Sequence, residues 1–120
     1  MSKILVVDDE PHIVKLITFS LTKRGYEVIA ATDGPSAIEL AGRERPDLIL
    51  LDVMMPGMTG FEVARRLKAD PATESIPIAM LSAKSQTYEI TEGLECGAAD
   101  YICKPFTPSD LAAKVSELLE

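Results

Sequence analysis

The stretch Leu48-Ile49-Leu50-Leu51-Asp52 constrains this chain more than any other. Four apolar residues run straight into one carboxylate, and Val53-Met54-Met55-Pro56-Gly57 follows. The device recurs near the start, where Ile4-Leu5-Val6-Val7 runs into Asp8-Asp9. It returns in altered form near the end, where Tyr101-Ile102-Cys103 runs into Lys104-Pro105. Short unbroken apolar runs bounded by turn signals fit strands buried on both faces of a parallel sheet. In such sheets ligands bind beyond the carboxyl ends of the strands. Asp8, Asp9, Asp52 and Lys104 are therefore expected to meet at one edge.

The rest of the chain supplies the alternation that a parallel sheet needs. Strands are predicted over 3–7, 26–30, 47–52, 77–81 and 99–103. The second alternates most and is expected at an edge. Between them, Pro11 opens a first helix with an apolar stripe of Ile13, Val14, Ile17 and Leu21, closed by Lys23, Arg24 and Gly25. Asp33-Gly34-Pro35 opens a second. Thr59-Gly60-Phe61-Glu62 has capping-box spacing and starts a third at about Gly60. A fourth is expected over roughly 86–96, with a thin stripe of Ile90 and Leu94. A fifth follows Thr107-Pro108-Ser109-Asp110, with Leu111, Val115 and Leu118 inward. This predicts an α/β fold, a doubly wound five-stranded parallel sheet with five helices on two faces. The 120 residues, 1–120, are expected to form one domain.

Composition excludes several functions. A net charge of −7 lacks the basic footprint that nucleic acid demands. No apolar run approaches a membrane span, and the N-terminal run is too short for a signal peptide. Cys96 and Cys103 form no CxxC and have no histidine at metal spacing, so they are expected as reduced, partly buried thiols of a cytoplasmic protein. His12, the one histidine, is expected at the surface.

A lone aspartate at a strand end is ordinarily a helix cap, and a lone serine such as Ser82 an N-cap. The joint pattern is what carries chemistry: an acid pair after strand one, an acid after three, a hydroxyl after four and a lysine after five. Adjacent carboxylates raise each other's pKa and destabilise a fold unless a cation joins them. Mg²⁺ suits one or two carboxylates with phosphate oxygens, with Mn²⁺ as an alternative, while zinc lacks its Cys/His set. An aspartate can itself accept a phosphoryl group, and positioning with charge neutralisation is most of what such a transfer requires.

The chain resembles the receiver domain of bacterial two-component response regulators. The resemblance runs from Lys3 to the last helix and rests on Val-Asp-Asp-Glu, Leu-Asp-Val-Met-Met-Pro-Gly-Met-Thr-Gly, Leu-Ser-Ala-Lys and Gly-Ala-Ala-Asp-Tyr-Ile-Cys-Lys-Pro-Phe. It implies the flavodoxin-like strand order 2-1-3-4-5. It implies that Asp52 is the phosphoacceptor, and that Asp8, Asp9, Asp52 and the Met54 carbonyl hold Mg²⁺. Lys104, Ser82 and the Ala83 backbone N–H would bind the phosphoryl group. Ser82 and Tyr101 would form the switch, and the bond before Pro105 would be cis. The implied partners are a histidine kinase or histidine phosphotransfer protein and a downstream output protein or fused effector domain. The output face would be the fourth helix, strand five and the fifth helix. Met54 and Lys84 stand where the best-known chemotaxis member has a polar residue and an acid. They imply slow self-dephosphorylation. Ala99 and Lys114 stand where regulators that dimerise through the output face often have an acid and an arginine.

Three rival readings meet obstacles in the residues. A phosphatase of the haloacid dehalogenase type needs a second aspartate where Met54 stands. A flavodoxin-like cofactor binder would meet repulsion between phosphate and Asp8-Asp9. A pseudo-receiver that only binds partners would have lost the acid pair or the lysine. A Walker-type glycine-rich loop is absent.

Overall fold

The computed structural model describes residues 2–83 and 97–119. Its strands are β1 (Lys3–Val7), β2 (Glu27–Ala31), β3 (Leu48–Asp52), β4 (Ile78–Ala83) and β5 (Asp100–Lys104). Its described helices are α1 (Pro11–Lys23), α2 (Gly34–Glu44), α3 (Gly60–Ala69) and α4 (Pro108–Leu119). The helix expected over 86–96 lies outside the described residues, so α4 is the helix expected fifth. All strand pairs are parallel, in the order β2-β1-β3-β4-β5.

The apolar runs are continuous because the sheet is covered on both faces. Alternate residues divide between two clusters. Leu5, Val7, Ile49, Leu51, Ile78 and Met80 face α2 and α3, packing with Ala37, Ala41, Phe61 and Leu67. Ile4, Val6, Leu48, Leu50, Ala79 and Leu81 face α1 and α4, packing with Ile17, Leu21, Leu111 and Val115. β2 is an edge strand, and only its last residue is buried.

The expected starts hold where local chemistry sets them. Pro11 opens α1. The Asp33 carboxylate accepts the Ser36 N–H at 2.8 Å, Thr59 Oγ1 accepts that of Glu62 at 3.3 Å, and Thr107 Oγ1 accepts that of Asp110 at 3.0 Å.

Two expectations need correction. β4 runs to Ala83 rather than ending at 81, because Ser82 and Ala83 pair with Cys103 and Lys104. Cys103 is exposed rather than partly buried: it lies near the end of the other edge strand, and only Ile102 of β5 is buried. Cys96 lies outside the described residues. No described helix is long and apolar enough to cross a membrane.

Candidate functional site

Asp8 and Asp52 are each held by the turn that follows their strand. Asp8 is fully buried just beyond β1. Its Oδ1 accepts the Glu10 N–H at 3.0 Å, which turns the chain into α1. Asp52 ends β3, and its Oδ1 accepts the Met54 N–H at 3.4 Å. Asp9 is half-buried beside them. One carboxylate oxygen from each of Asp8, Asp9 and Asp52 falls within a group spanning no more than 4.8 Å.

Among the described residues, one lysine answers this set. Lys104, the last residue of β5, donates through Nζ to Asp8 Oδ2 at 2.9 Å and to Asp52 Oδ1 at 3.3 Å. Glu10 Oε1 lies 3.7 Å from the same nitrogen. The next peptide bond, Lys104–Pro105, is cis. A cavity of about 190 Å³ opens over the group, lined by Glu10, Asp52, Val53, Met54, Leu81, Ser82 and Lys104. Ser82 is buried in β4, while Met54 is 65% exposed at the rim. The Ala83 backbone reaches the same edge through its pairing with Lys104. Tyr101 stands two positions back from Cys103, paired with Met80, and packs against the cluster on the α2 and α3 side. Lys84 lies outside the described residues.

Charge is unbalanced here. Burial pushes the Asp52 carboxyl up to about 7, the Asp8 charge adds to this, and Lys104 only partly opposes it. Burial works against the Lys104 charge as well. The Asp8 hydrogen bond and the charges of Asp52 and Asp8 outweigh it and hold the ammonium above its ordinary value. The edge therefore keeps a protonated lysine and a surplus of carboxylate. Its donors are hard oxygens, with no imidazole or thiolate in the group. Such a set fits a divalent cation of the Mg²⁺ kind, which takes carboxylates and keeps other positions for water and phosphate oxygens.

Three features escaped the sequence. Glu10 reads as a helix-opening residue, yet its carboxylate turns to Lys104 and to His12 Nε2, 3.7 Å away. Gly60 reads as a helix start, yet it lies against the Asp52 carbonyl so closely that a Cβ would strike that backbone. Its N–H donates to Val53 O at 2.9 Å, closing the loop that carries Met54. That loop's turn, by contrast, is announced by Pro56-Gly57, a type II turn signal, and Gly57 has φ 79°, the positive value that the third residue of such a turn requires. Finally, Lys114 Nζ donates to Asp100 Oδ2 at 2.9 Å across β5 and α4. Acid and base lie far enough apart in sequence to hide that pair.

Residues 4–116 match the family model of the response regulator receiver domain, and the chain belongs to that family. It is 47% identical over 117 residues to the alkaline phosphatase synthesis transcriptional regulatory protein PhoP of Bacillus subtilis, covering 98% of this chain and 48% of that protein. It is 48% identical over 117 residues to the response regulator PleD of Caulobacter vibrioides, covering 98% of this chain and 26% of that one. The chain thus spans about half or less of the length of these curated relatives. Among solved structures, the chemotaxis protein CheY4 of Vibrio cholerae superposes with a TM-score of 0.95 at 36% identity, covering 99% of both chains. The general function of this family is that of a phosphorylation-dependent switch.

Proposed function

We propose that Asp52 accepts a phosphoryl group from a histidine kinase or a histidine phosphotransfer protein, and that residues 1–120 form one receiver module working in the cytoplasm. One observation carries the reading. The Asp52 carboxylate is buried at the end of β3, opens into the cavity it shares with Ser82, and has Lys104 Nζ at 3.3 Å.

In the transfer, an Asp52 oxygen forms a bond to phosphorus as the donor's P–N bond breaks. The electron pair stays on the departing nitrogen. Asp8, Asp9, Asp52 and the Met54 carbonyl would hold Mg²⁺, with Mn²⁺ as an alternative. The bound ion would neutralise charge that builds on the phosphoryl oxygens. Lys104 leaves its place on Asp52 to pair with one phosphoryl oxygen. Ser82 and the Ala83 N–H bind the others. Phosphorylation adds about −1.5 to −2 charges and three strong acceptors. Ser82 turns toward them, Tyr101 fills the space this leaves, and the face around β5 and α4 changes for an output protein or fused effector domain. Replacing Ser82 with Ala leaves phosphorylation in place and blunts partner binding.

The test is intact mass over time with Mg²⁺ and acetyl phosphate, beside Asp52→Asn. Wild type gains one phosphoryl group, the variant gains none, and chelator added beforehand abolishes the gain. No gain in a folded wild type refutes the reading. The decay of the same sample tests a finer expectation. An exposed Met54 thioether orients water poorly, so the phosphoryl group persists far beyond seconds, and a lifetime of seconds would contradict that role for Met54.

A further inference from the structure

Glu10 is the N-cap residue of α1, but its side chain makes no capping hydrogen bond. Its carbonyl starts the helix by accepting from Ile13 and Val14. Its carboxylate is then free to cap or to lie along the positive end of the helix, where a negative charge is favoured. It makes no cap. One oxygen is 3.7 Å from Lys104 Nζ and the other 3.7 Å from His12 Nε2. The side chain is 51% exposed, against 0% for Asp8 and 7% for Asp52. Among the described residues that line the cavity, Glu10 is thus the more exposed of the two carboxylates, the other being Asp52.

An in-line displacement places the leaving group opposite the attacking oxygen. Asp52 is a buried member of the cavity lining and Glu10 and Met54 are exposed members, so a group leaving opposite the attacking oxygen departs on their side. We propose that Glu10 is a specificity-determining charge that selects the donor by its leaving group. It favours N-phosphoryl donors, whose nitrogen is cationic in the protonated donor and departs neutral, over acyl phosphates, whose leaving group departs as a carboxylate anion. This rests on the reading of Asp52 as phosphoacceptor.

The two donor classes supply the test. With acetyl phosphate, Asp52 gains the phosphoryl group as the P–O bond breaks and acetate keeps the electron pair. With phosphoramidate, the P–N bond breaks and the protonated nitrogen keeps the electron pair, leaving as neutral ammonia with its three hydrogens. Rates of mass gain are measured for both donors with Mg²⁺ in wild type, Glu10→Gln and Glu10→Lys. One exposed charge acting across several ångströms of partly screened medium changes a rate by about three- to tenfold. The acetyl phosphate to phosphoramidate rate ratio is expected to rise by that factor in Glu10→Gln and further in Glu10→Lys, and the rise should shrink with added salt. A side chain that merely positions Lys104 would change both rates by one factor. An unchanged ratio in both variants therefore overturns the proposal. If no donor phosphorylates wild type, Asp52 is not the acceptor and both readings fall together.

Discussion

The two ends of β1 carry the same chemistry with opposite results. At its start, Lys3 Nζ meets Glu44 at 3.0 Å and Glu27 at 3.9 Å, and the Lys3 N–H donates to Asp47. Beyond its other end, Lys104 meets Asp8, Asp52 and Glu10. Both lysines are held above their ordinary pKa by their partners. The acids diverge. The Lys3 hydrogen bond draws Glu44 below the usual carboxylate range, whereas burial pushes Asp52 up to about 7. Water reaches the first group and screens it. In the second, Asp8 and Asp52 are 0% and 7% exposed, against 34% and 52% for Glu44 and Glu27 in the first, and the one lysine there among the described residues cannot neutralise the acids around it. A lysine among acids stabilises the fold where solvent shares the charge, and where solvent is excluded it leaves a demand for another cation or a proton.

Removing the lysine from the buried end should produce the largest effect. Lys104→Ala strands Asp8 and Asp52 without their cation. Breaking a buried pair costs about 3–5 kcal/mol, and proton uptake by Asp52 brings the expected loss to about 3 kcal/mol in chelator. Urea melts should show that loss, with partial recovery on adding Mg²⁺. A loss no greater in chelator than in Mg²⁺ would mean that the acids are not in surplus.

Backbone geometry holds Asp52 in that position. Gly60→Ala drives a Cβ into the Asp52 carbonyl, and an overpacked backbone contact costs about 1–3 kcal/mol. The variant should melt earlier by that amount and accept phosphoryl more slowly. A wild-type urea midpoint would show that the loop gives way freely.

Asp52→Asn should act in the opposite direction. It removes a charge whose burial and repulsion outweigh its lysine, so the metal-free variant is expected to be about 1–2 kcal/mol more stable than wild type at pH 8. The sign with pH follows from the raised value. Between 3.8 and about 7 the folded chain holds a proton that the unfolded chain has released. The stability this contributes is complete below that window and is lost as pH rises through about 7. The advantage of Asp52→Asn should therefore grow from pH 5 to pH 8 in chelator. A pH-independent difference would contradict the raised carboxyl.

The smallest change belongs to the open end. Lys3→Gln removes an exposed pair of the kind that contributes little, and its urea midpoint should shift less than that of any variant above. A shift matching that of Lys104→Ala would erase the contrast between the two ends.

Much of the molecule is legible in the order of residues. Leu48 to Leu51 are all apolar because both faces of β3 are covered, and Asp52 follows because the strand ends there. The caps at Asp33, Thr59 and Thr107 and the turn at Gly57 are local, and local chemistry announces them. Cross-strand matters are not. Pairing with Cys103 and Lys104 makes Ser82 and Ala83 part of β4, and the exposure of Cys103 follows from its place on an edge strand, which residue type cannot report.

The sequence by itself determined the covered parallel sheet and the delivery of acids, a hydroxyl and a lysine to its strand ends. Periodicity and turn chemistry act over a few residues and are written there. Tertiary structure alone decided that Lys104 serves three carboxylates, that Glu10 turns outward over the cavity instead of capping its helix, that Gly60 packs against the Asp52 carbonyl, and that burial raises Asp52. Those outcomes depend on distance and solvent exclusion between residues as many as 96 positions apart, and only the folded chain sets either.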